Sequence, residues 1–153
     1  MSLRRFFSSK TYPFSVGLSC CFRQWPATHS HCSQVHGYAL QVSLRFEANK
    51  LDTRNWVVDF GDLKIVKDWL TQMFDHKTLV AQDDPHIDAF REMGRLGLMD
   101  IRVVKATGCE AFADMIADVV EGWLVDHAPH ARLTEVEVRE HDGNAGGVTL
   151  GEI

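Results

Sequence analysis

The longest regular pattern in this chain is an alternation of apolar and polar residues that begins at His36. Its apolar positions are Tyr38, Leu40, Val42, Leu44 and Phe46, and the positions between them include Gln41, Ser43 and Arg45. A period of two places neighbouring side chains on opposite faces of a strand. The pattern therefore predicts a long strand, of the kind found in antiparallel sheets, with one buried face.

Strands are also predicted on either side of this pattern. Residues 12–25 carry few helix signals and run into Pro26, which predicts a strand that the proline stops. A polar loop over residues 27–35 follows.

The last quarter of the chain returns to alternation. Val136, Val138 and Glu140 fall on one face of a predicted strand. A hairpin punctuated by glycines over residues 143–147 then leads to a last strand over residues 148–153.

Apolar residues at helical spacing predict two main helices. The first carries Leu63, Val66, Leu70, Met73 and Phe74. The second runs from about Cys109 to Leu124 and carries Phe112, Ile116, Val119 and Trp123. Strands grouped at both ends of the chain around these helices predict an α+β fold, with the helices on one face of an antiparallel sheet.

Two shorter elements are predicted between the main ones. Residues 56–58 form a short extended piece before the first helix. A short helix starts at Asp83-Asp84-Pro85, with Asp84 as a candidate cap, and ends near Gly94 or Gly97.

Composition narrows the class of protein. The chain has 153 residues and is 45% hydrophobic, which suits one globular domain over residues 1–153. Its formal net charge of -5, with both signs interspersed, offers no basic stripe for a nucleic acid. Four cysteines without a CxxC pair predict reduced thiols, and no export signal or membrane span is read, so we expect a cytoplasmic protein.

Cys32 is the first candidate for chemistry. It lies in the polar loop among His29, His31 and His36, and a protonated histidine beside it would favour the reactive thiolate. The alternative is an ordinary exposed cysteine. The same histidines could hold a zinc ion, because imidazole suits zinc, although a histidine-rich loop is more often only polar.

Two further candidates involve carboxylates. Asp75 could fix the tautomer of His76 and make it a general base, or His76 could simply meet the helix dipole. Glu140 continues an apolar strand face, where a carboxylate is costly unless its charge is met. A planar ligand with two adjacent N–H donors would meet it bidentately. The alternative is that the strand ends at Arg139 and Glu140 turns into water.

Several motifs occur in the order found in one enzyme family. They are Cys32-x-x-x-His36-Gly37, Val58-Asp59-Phe60-x-x-Leu63-Lys64, Phe74-Asp75-His76 and Val138-Arg139-Glu140. From about Leu18 to Gly147, the chain resembles the 6-pyruvoyl-tetrahydropterin and 6-carboxytetrahydropterin synthases.

The resemblance implies a tunnelling fold, a four-stranded antiparallel sheet with two main helices on one face. The sheets of several subunits join edge to edge into an oligomeric barrel, and two barrels stack, usually as a hexamer that is a dimer of trimers. The pterin pocket then lies between subunits. Such closure would also remove exposed sheet edges.

The resemblance also implies roles for single residues. Cys32 takes the place of the catalytic cysteine, Asp75 and His76 that of the proton-relay pair, and Glu140 that of the carboxylate anchor for the pterin ring. The family substrate is 7,8-dihydroneopterin triphosphate, which loses triphosphate. In the bacterial branch that serves queuosine and related deazapurines, acetaldehyde leaves as well and gives 6-carboxytetrahydropterin.

The chain departs from the family at the zinc site, which uses one histidine of the first strand and a His-Gly-His motif. Phe22 and Tyr38 stand at two ligand positions, and only His36 remains. His29 and His31 could join His36 in a displaced zinc site, or Tyr38 could replace the metal as a hydrogen-bonding and proton-transfer group.

A second departure precedes the second helix, where the family often has threonine or serine ahead of Glu110 and this chain has Gly108-Cys109. Gly108 would allow a ligand to approach the backbone closely. Tyr38, Gly108 and Glu140 are therefore the candidate substrate-binding residues.

These observations predict a pterin-processing lyase of the 6-carboxytetrahydropterin synthase type, in which Cys32 and His76 exchange protons with the substrate. Two alternatives stay open. A non-catalytic protein that binds a pterin or purine-like ligand would keep Glu140 without the metal chemistry, and a related enzyme would act on another pterin. The expected partners are a small pterin and further copies of the chain, not nucleic acid or membrane.

Overall fold

The computed structural model describes residues 4–151. Its strands are β1 Phe6–Tyr12, β2 Leu18–Phe22, β3 His36–Ala48, β4 Lys77–Ala81, β5 Ile101–Val104, β6 Arg132–His141 and β7 Asn144–Thr149. Its helices are α1 Lys64–Phe74, α2 Ile87–Arg95 and α3 Cys109–His127. Within the described residues no helix has the length and apolarity needed to cross a bilayer.

β3 is the centre of the sheet because it pairs along both edges. β6 runs antiparallel along one edge and sets Val138 opposite Val42. β2 and β1 share the other edge, where β2 pairs with the first part of β3 and β1 with the rest. The predicted alternation is confirmed, because every second residue of β3 from Leu40 to Ala48 is buried.

The sheet is mixed and has seven strands, which corrects the predicted sheet of four antiparallel strands. β4 runs parallel to β2, and β5 runs parallel to β4, so these strands extend the sheet beyond β2. They have only five and four residues. Apolar runs this short show no readable period, which is why the sequence did not reveal them. The fold is α+β, with this mixed sheet and three helices.

The N-terminal region also differs from the prediction of one strand over residues 12–25. β1 ends at Tyr12 and β2 begins at Leu18, because the chain turns between them at Pro13 and Gly17. Gly17 has a φ of 80°, a left-handed conformation that glycine adopts without steric cost.

Smaller corrections apply elsewhere. Val57 and Val58 form a bend, and residues 56–58, predicted as a short extended piece, pair with no strand of the sheet. The last hairpin turns at residues 142–143, so Gly146 and Gly147 lie inside β7. The predicted short helix is confirmed as α2, but its N-cap is His86 rather than Asp84. Asp84 instead accepts a hydrogen bond from the backbone N–H of His86 just before the helix begins.

The core lies between one face of the sheet and helices α1 and α3. The residues from the helices that are fully buried include Val66, Leu70, Phe74, Phe112, Ile116 and Val120. Phe112 of α3 packs edge-on against Phe22 and Phe74, with ring centroids 5.0 and 5.3 Å away. The last residue of β2 therefore packs on α3, and the same ring of α3 packs on α1.

Gly147→Ala tests the close packing of β7 on β6. A Cβ there would overlap the carbonyl oxygen of Val136 and lie 3.2 Å from the Cα of Glu137. Because backbone atoms cannot rotate away, we expect a urea titration to show a loss of about 1–3 kcal/mol in the free energy of unfolding.

Gly122→Ala is the matched control, because a Cβ at this exposed helical position meets nothing within 4 Å. It should raise the free energy of unfolding by roughly 0.5–1 kcal/mol. Equal effects of the two variants would contradict the described packing of β7.

Candidate active site

Three aromatic rings form the floor of the candidate site at the end of β2. Phe22 lies opposite His36 across the β2–β3 pair, and their ring centroids are 5.2 Å apart. Tyr38 packs edge-on against His36 at 5.2 Å and lies 6.1 Å from Phe22. Residues 36 and 38 share one face of β3, because strand side chains repeat every two residues.

His36 is held in one tautomer by its backbone neighbour. Its Nδ1 lies 2.7 Å from the carbonyl oxygen of Gln34. A carbonyl oxygen only accepts hydrogen bonds, so Nδ1 carries the hydrogen. In the neutral imidazole, Nε2 then keeps its lone pair and is the nitrogen that can accept a proton.

Tyr38 is surrounded by groups that disfavour its ionised form. Burial, followed by the negative charges of Glu140, Cys32 and Cys109, raises the pKa of Tyr38 above its usual value. The phenol therefore stays protonated at neutral pH and can donate a hydrogen bond. Of these neighbours, Cys109 and Glu140 also contact each other.

Cys32 lies in the single turn of 3-10 helix over His31–Ser33, which buries no side chain. Its carbonyl oxygen accepts a hydrogen bond of 2.8 Å from the backbone N–H of Gln24. Its own N–H donates to Ser30 Oγ at 3.2 Å. Cys32 is half-buried, whereas His29 and His31 are exposed.

Glu140 lies beside the first turn of α3. The Sγ of Cys109 is 3.9 Å from Glu140 Oε2, and Asn144 donates an amide hydrogen bond to Oε1 at 3.3 Å. Within residues 4–151, no Lys, Arg or His forms an ion pair with Glu140. Glu140 is half-buried, as its position on the apolar face predicted.

Gly108 is the residue before α3 and has a φ of 112°. A Cβ there would lie 2.6 Å from Gln24 Nε2. The side chain of Gln24 packs against the Gly108 backbone, where the sequence analysis expected a ligand to approach.

Asp75 and His76 form the predicted pair. The Nδ1 of His76 lies 2.6 Å from Asp75 Oδ1. His76 has a φ of 57°, an uncommon left-handed conformation that turns the chain from α1 into β4. Its backbone N–H donates to the carbonyl of Ser19 at 2.7 Å, and its side chain is 87% exposed.

Cys32 and His76 are not brought together within one chain. His76 lies at Ser19, at the start of β2, whereas the Cys32 turn is bonded to Gln24, beyond the end of β2. Ser19 and Phe22 alone are separated by about 10 Å at the usual rise of a strand. The predicted site residues therefore form two groups, one around Tyr38 and one at His76.

The donor groups do not fit a zinc ion. Zinc in proteins takes thiolate, imidazole and carboxylate ligands, typically from three or four side chains. The positions that would supply the usual histidines hold a phenyl ring, one imidazole and a phenol. Across residues 4–151, no three His, Cys, Asp or Glu side chains are arranged around one point. The displaced site of His29, His31 and His36 stays a prediction.

Sequence reasoning missed Arg23, Gln24 and Asn144. Arg23 follows the apolar end of β2 and is followed by Gln24 and Trp25, so its neighbours in the sequence gave no sign of an ion pair with Asp84. The contact between Asn144 and Glu140 was readable in part, because a hairpin brings residues four apart together.

Comparisons with known proteins give a family match over most of the chain. A family model described as 6-pyruvoyl tetrahydropterin synthase matches residues 14–149. A 6-carboxy-5,6,7,8-tetrahydropterin synthase from Rickettsia felis is 35% identical over 65 residues, which are 42% of this chain and 43% of that protein. The match thus spans less than half the length of this curated relative.

Solved structures extend the likeness over the whole fold. An uncharacterized protein from Wolinella succinogenes has a TM-score of 0.80 at 17% identity, over 95% of this chain and 98% of that one. The 6-pyruvoyl tetrahydropterin synthase of Plasmodium vivax has a TM-score of 0.66 at 16% identity, over 94% and 97%. At these identities the structures show a shared fold.

Iodoacetamide labelling checks the thiol environments. Burial, with the nearby charges of Glu140 and Glu110, raises the pKa of Cys109 to about 11, and burial raises that of Cys20 to about 12. At pH 8 Cys109 then has about 100-fold less thiolate than an ordinary cysteine. We expect mass spectrometry of the folded protein to find Cys32 labelled long before Cys109 or Cys20.

The same reaction in denaturant should label all four cysteines at similar rates. Labelling of Cys109 as fast as Cys32 in the folded state would contradict the described burial.

Proposed function

Because the chain belongs to the 6-pyruvoyl tetrahydropterin synthase family, we propose that it is a pterin-processing lyase that converts 7,8-dihydroneopterin triphosphate to 6-carboxytetrahydropterin. Its curated relatives carry the name 6-carboxy-5,6,7,8-tetrahydropterin synthase, which supports this product over others. The proposed pathway is that of queuosine and related deazapurines, and the proposed compartment is the cytoplasm.

The observation that carries the proposal is the state of Glu140. This half-buried carboxylate meets only a weak thiol donor and one amide among the described residues. A half-buried carboxylate with few donors can accept two parallel N–H bonds from a ligand. The amino-pyrimidinone edge of a pterin has such donors, so Glu140 would anchor the ring.

Tyr38 and Cys32 then face the side chain of the bound pterin. The neutral phenol of Tyr38 would donate a hydrogen bond to a side-chain oxygen, and the Cys32 thiol would exchange a proton with an adjacent carbon. Asp75 would hold His76 as the second proton-transfer group. The lyase needs both groups, because one proton must be removed while another is returned.

A second copy of the chain would bring His76 to Cys32. The outer edges of β1 and β7 are unpaired within the described part of the chain, and Phe6, Phe7, Trp56 and Phe60 are exposed near β1. Joining such edges removes unpaired backbone groups from water. We therefore propose a homo-oligomeric barrel, a hexamer built as a dimer of trimers, with each site completed by a neighbouring His76.

The metal enters no step of this proposal, because the donor set around His36 does not fit it. The proton chemistry is assigned to Cys32, His76 and Tyr38 alone.

A specific observation also favours a second function. The loss of two histidine ligands at Phe22 and Tyr38 suits a protein that binds a pterin or purine-like ligand without changing it.

Turnover of 7,8-dihydroneopterin triphosphate, followed by mass spectrometry, tests the lyase. Cys32→Ala and His76→Ala should each lower kcat by about 100- to 10,000-fold, because each removes a proton-transfer group. Cys21→Ala is the matched control, since Cys21 hydrogen-bonds Thr78 on the opposite face of β2 and should leave kcat unchanged.

Intact substrate with the wild-type protein, together with binding that Glu140→Gln weakens, would identify a ligand binder instead. Turnover that Cys32→Ala leaves unchanged would refute the assigned mechanism.

The aromatic floor yields a prediction for metal binding. Phe22→His together with Tyr38→His would present three imidazoles, so this variant should bind about one zinc per chain and gain thermal stability when zinc is added. Wild-type protein and a Phe22→Ala, Tyr38→Ala control should bind far less, measured by elemental analysis after dialysis. Stoichiometric zinc in the wild-type protein that a His29→Ala, His31→Ala variant loses would instead establish the displaced site.

A further inference from the structure

The Cys32 turn is held from outside rather than by its own packing. It is a single turn that buries no side chain. Its contacts to the rest of the chain include the bond from Gln24 N–H to the Cys32 carbonyl, at 2.8 Å, and a bond of 3.1 Å from Arg23 Nη1 to the Ser33 carbonyl. A turn held by a few hydrogen bonds moves when one of them is lost.

Arg23 is fixed by a buried carboxylate. Its Nε donates to Asp84 Oδ2 at 2.8 Å and its Nη2 donates to Asp84 Oδ1 at 2.7 Å, a bidentate pair. The side chain of Asp84 is 1% exposed. Asp84 Oδ1 also accepts the His86 N–H, so the carboxylate is anchored at the start of α2.

The topology explains why Asp84 reaches Arg23. β2, β4 and β5 are parallel, so the loops that follow them leave the sheet at the same end, the carboxyl ends of these strands. Asp84 comes from the loop after β4, and Thr107, from the loop after β5, donates to the Arg23 carbonyl at 2.6 Å. Both loops therefore contact Arg23, which hydrogen-bonds to the Cys32 turn.

From this geometry we infer that Asp84 is a positioning residue for catalysis, which acts through Arg23 to hold the turn that carries Cys32 in place beyond the end of β2. This role rests on the proposed function for its effect on turnover, but the order of the turn can be measured without substrate. Arg23 binds Asp84 through the N–H groups along one edge of its guanidinium and donates a separate N–H to the Ser33 carbonyl. A lysine ammonium cannot reproduce this arrangement.

Hydrogen exchange and alkylation of the full chain test the inference first. Asp84→Asn should raise the exchange rate of amides in residues 31–36 and the alkylation rate of Cys32 by about tenfold, because the charge-assisted hold on Arg23 is lost. Amides in α3 should exchange as in the wild-type protein. The matched control is Asp88→Asn, a change of the same kind at a side chain 95% exposed in α2, which should alter neither rate.

Turnover separates positioning from substrate binding. Asp84→Asn should lower kcat by about 100-fold, the cost of misplacing a reacting group by about 1 Å, and leave KM near the wild-type value. Arg23→Lys keeps a cation beside Asp84. If the ion pair is merely structural, this variant should lower kcat only mildly. If Asp84 positions Cys32 through Arg23, Arg23→Lys should lower kcat as much as Asp84→Asn does, and the double variant should lose no more. Arg23→Lys also serves if Asp84→Asn does not fold.

Wild-type exchange and alkylation at residues 31–36 in either variant would overturn the inference. So would a uniform rise in exchange that includes α3. If the turn loosens as expected but the wild-type protein shows no turnover, the proposed lyase fails while the hold of Asp84 on the Cys32 turn stands.

Discussion

The pairing of β2 with β3 is the interaction on which the rest of the site depends. It sets Phe22 opposite His36 and Cys20 opposite Tyr38, and so decides which side chains share the covered face. A slip of one residue would move all of them to the other face. The register is secured by the core, because Phe22 packs on Phe112, which in turn packs on Phe74.

The side chains proposed to transfer protons or to bind the ligand lie at the margin of this core. Cys32 lies in a turn after β2, His76 directly after α1, and Glu140 next to the last residue of β6. Cys32 and Glu140 are only half-buried and His76 is exposed, so hydrogen bonds rather than packing determine the orientation of these side chains. Asp75 orients His76, Asn144 contacts Glu140, and Arg23 bonds to the Cys32 turn. Each of these partners is polar. An apolar residue in its place would leave the side chain or turn that it contacts without a fixed orientation.

The aromatic floor of the candidate site is held by packing. Phe22 is 1% exposed, and burial of a phenylalanine contributes roughly 1.5–3 kcal/mol relative to an exposed one. A ligand histidine at the same place would give up part of that burial and depend on the metal for compensation. With Phe22 and Tyr38 in place, the floor is stable by itself and leaves His36 Nε2 and the Tyr38 hydroxyl as its polar groups.

The sequence by itself determined the elements with long, regular patterns. The alternation of β3, the helical spacing in α1 and α3, the face of Glu140 and the adjacency of Asp75 and His76 were all readable, because each depends on residues close together in the chain. Only the tertiary structure decided the parallel strands β4 and β5, the ion pair of Arg23 with Asp84 and the contact of Cys109 with Glu140. It also decided that His76 and Cys32 lie at opposite ends of β2. These features depend on partners tens of residues apart, and the free energy that selects such partners comes from the assembled core rather than from any local pattern.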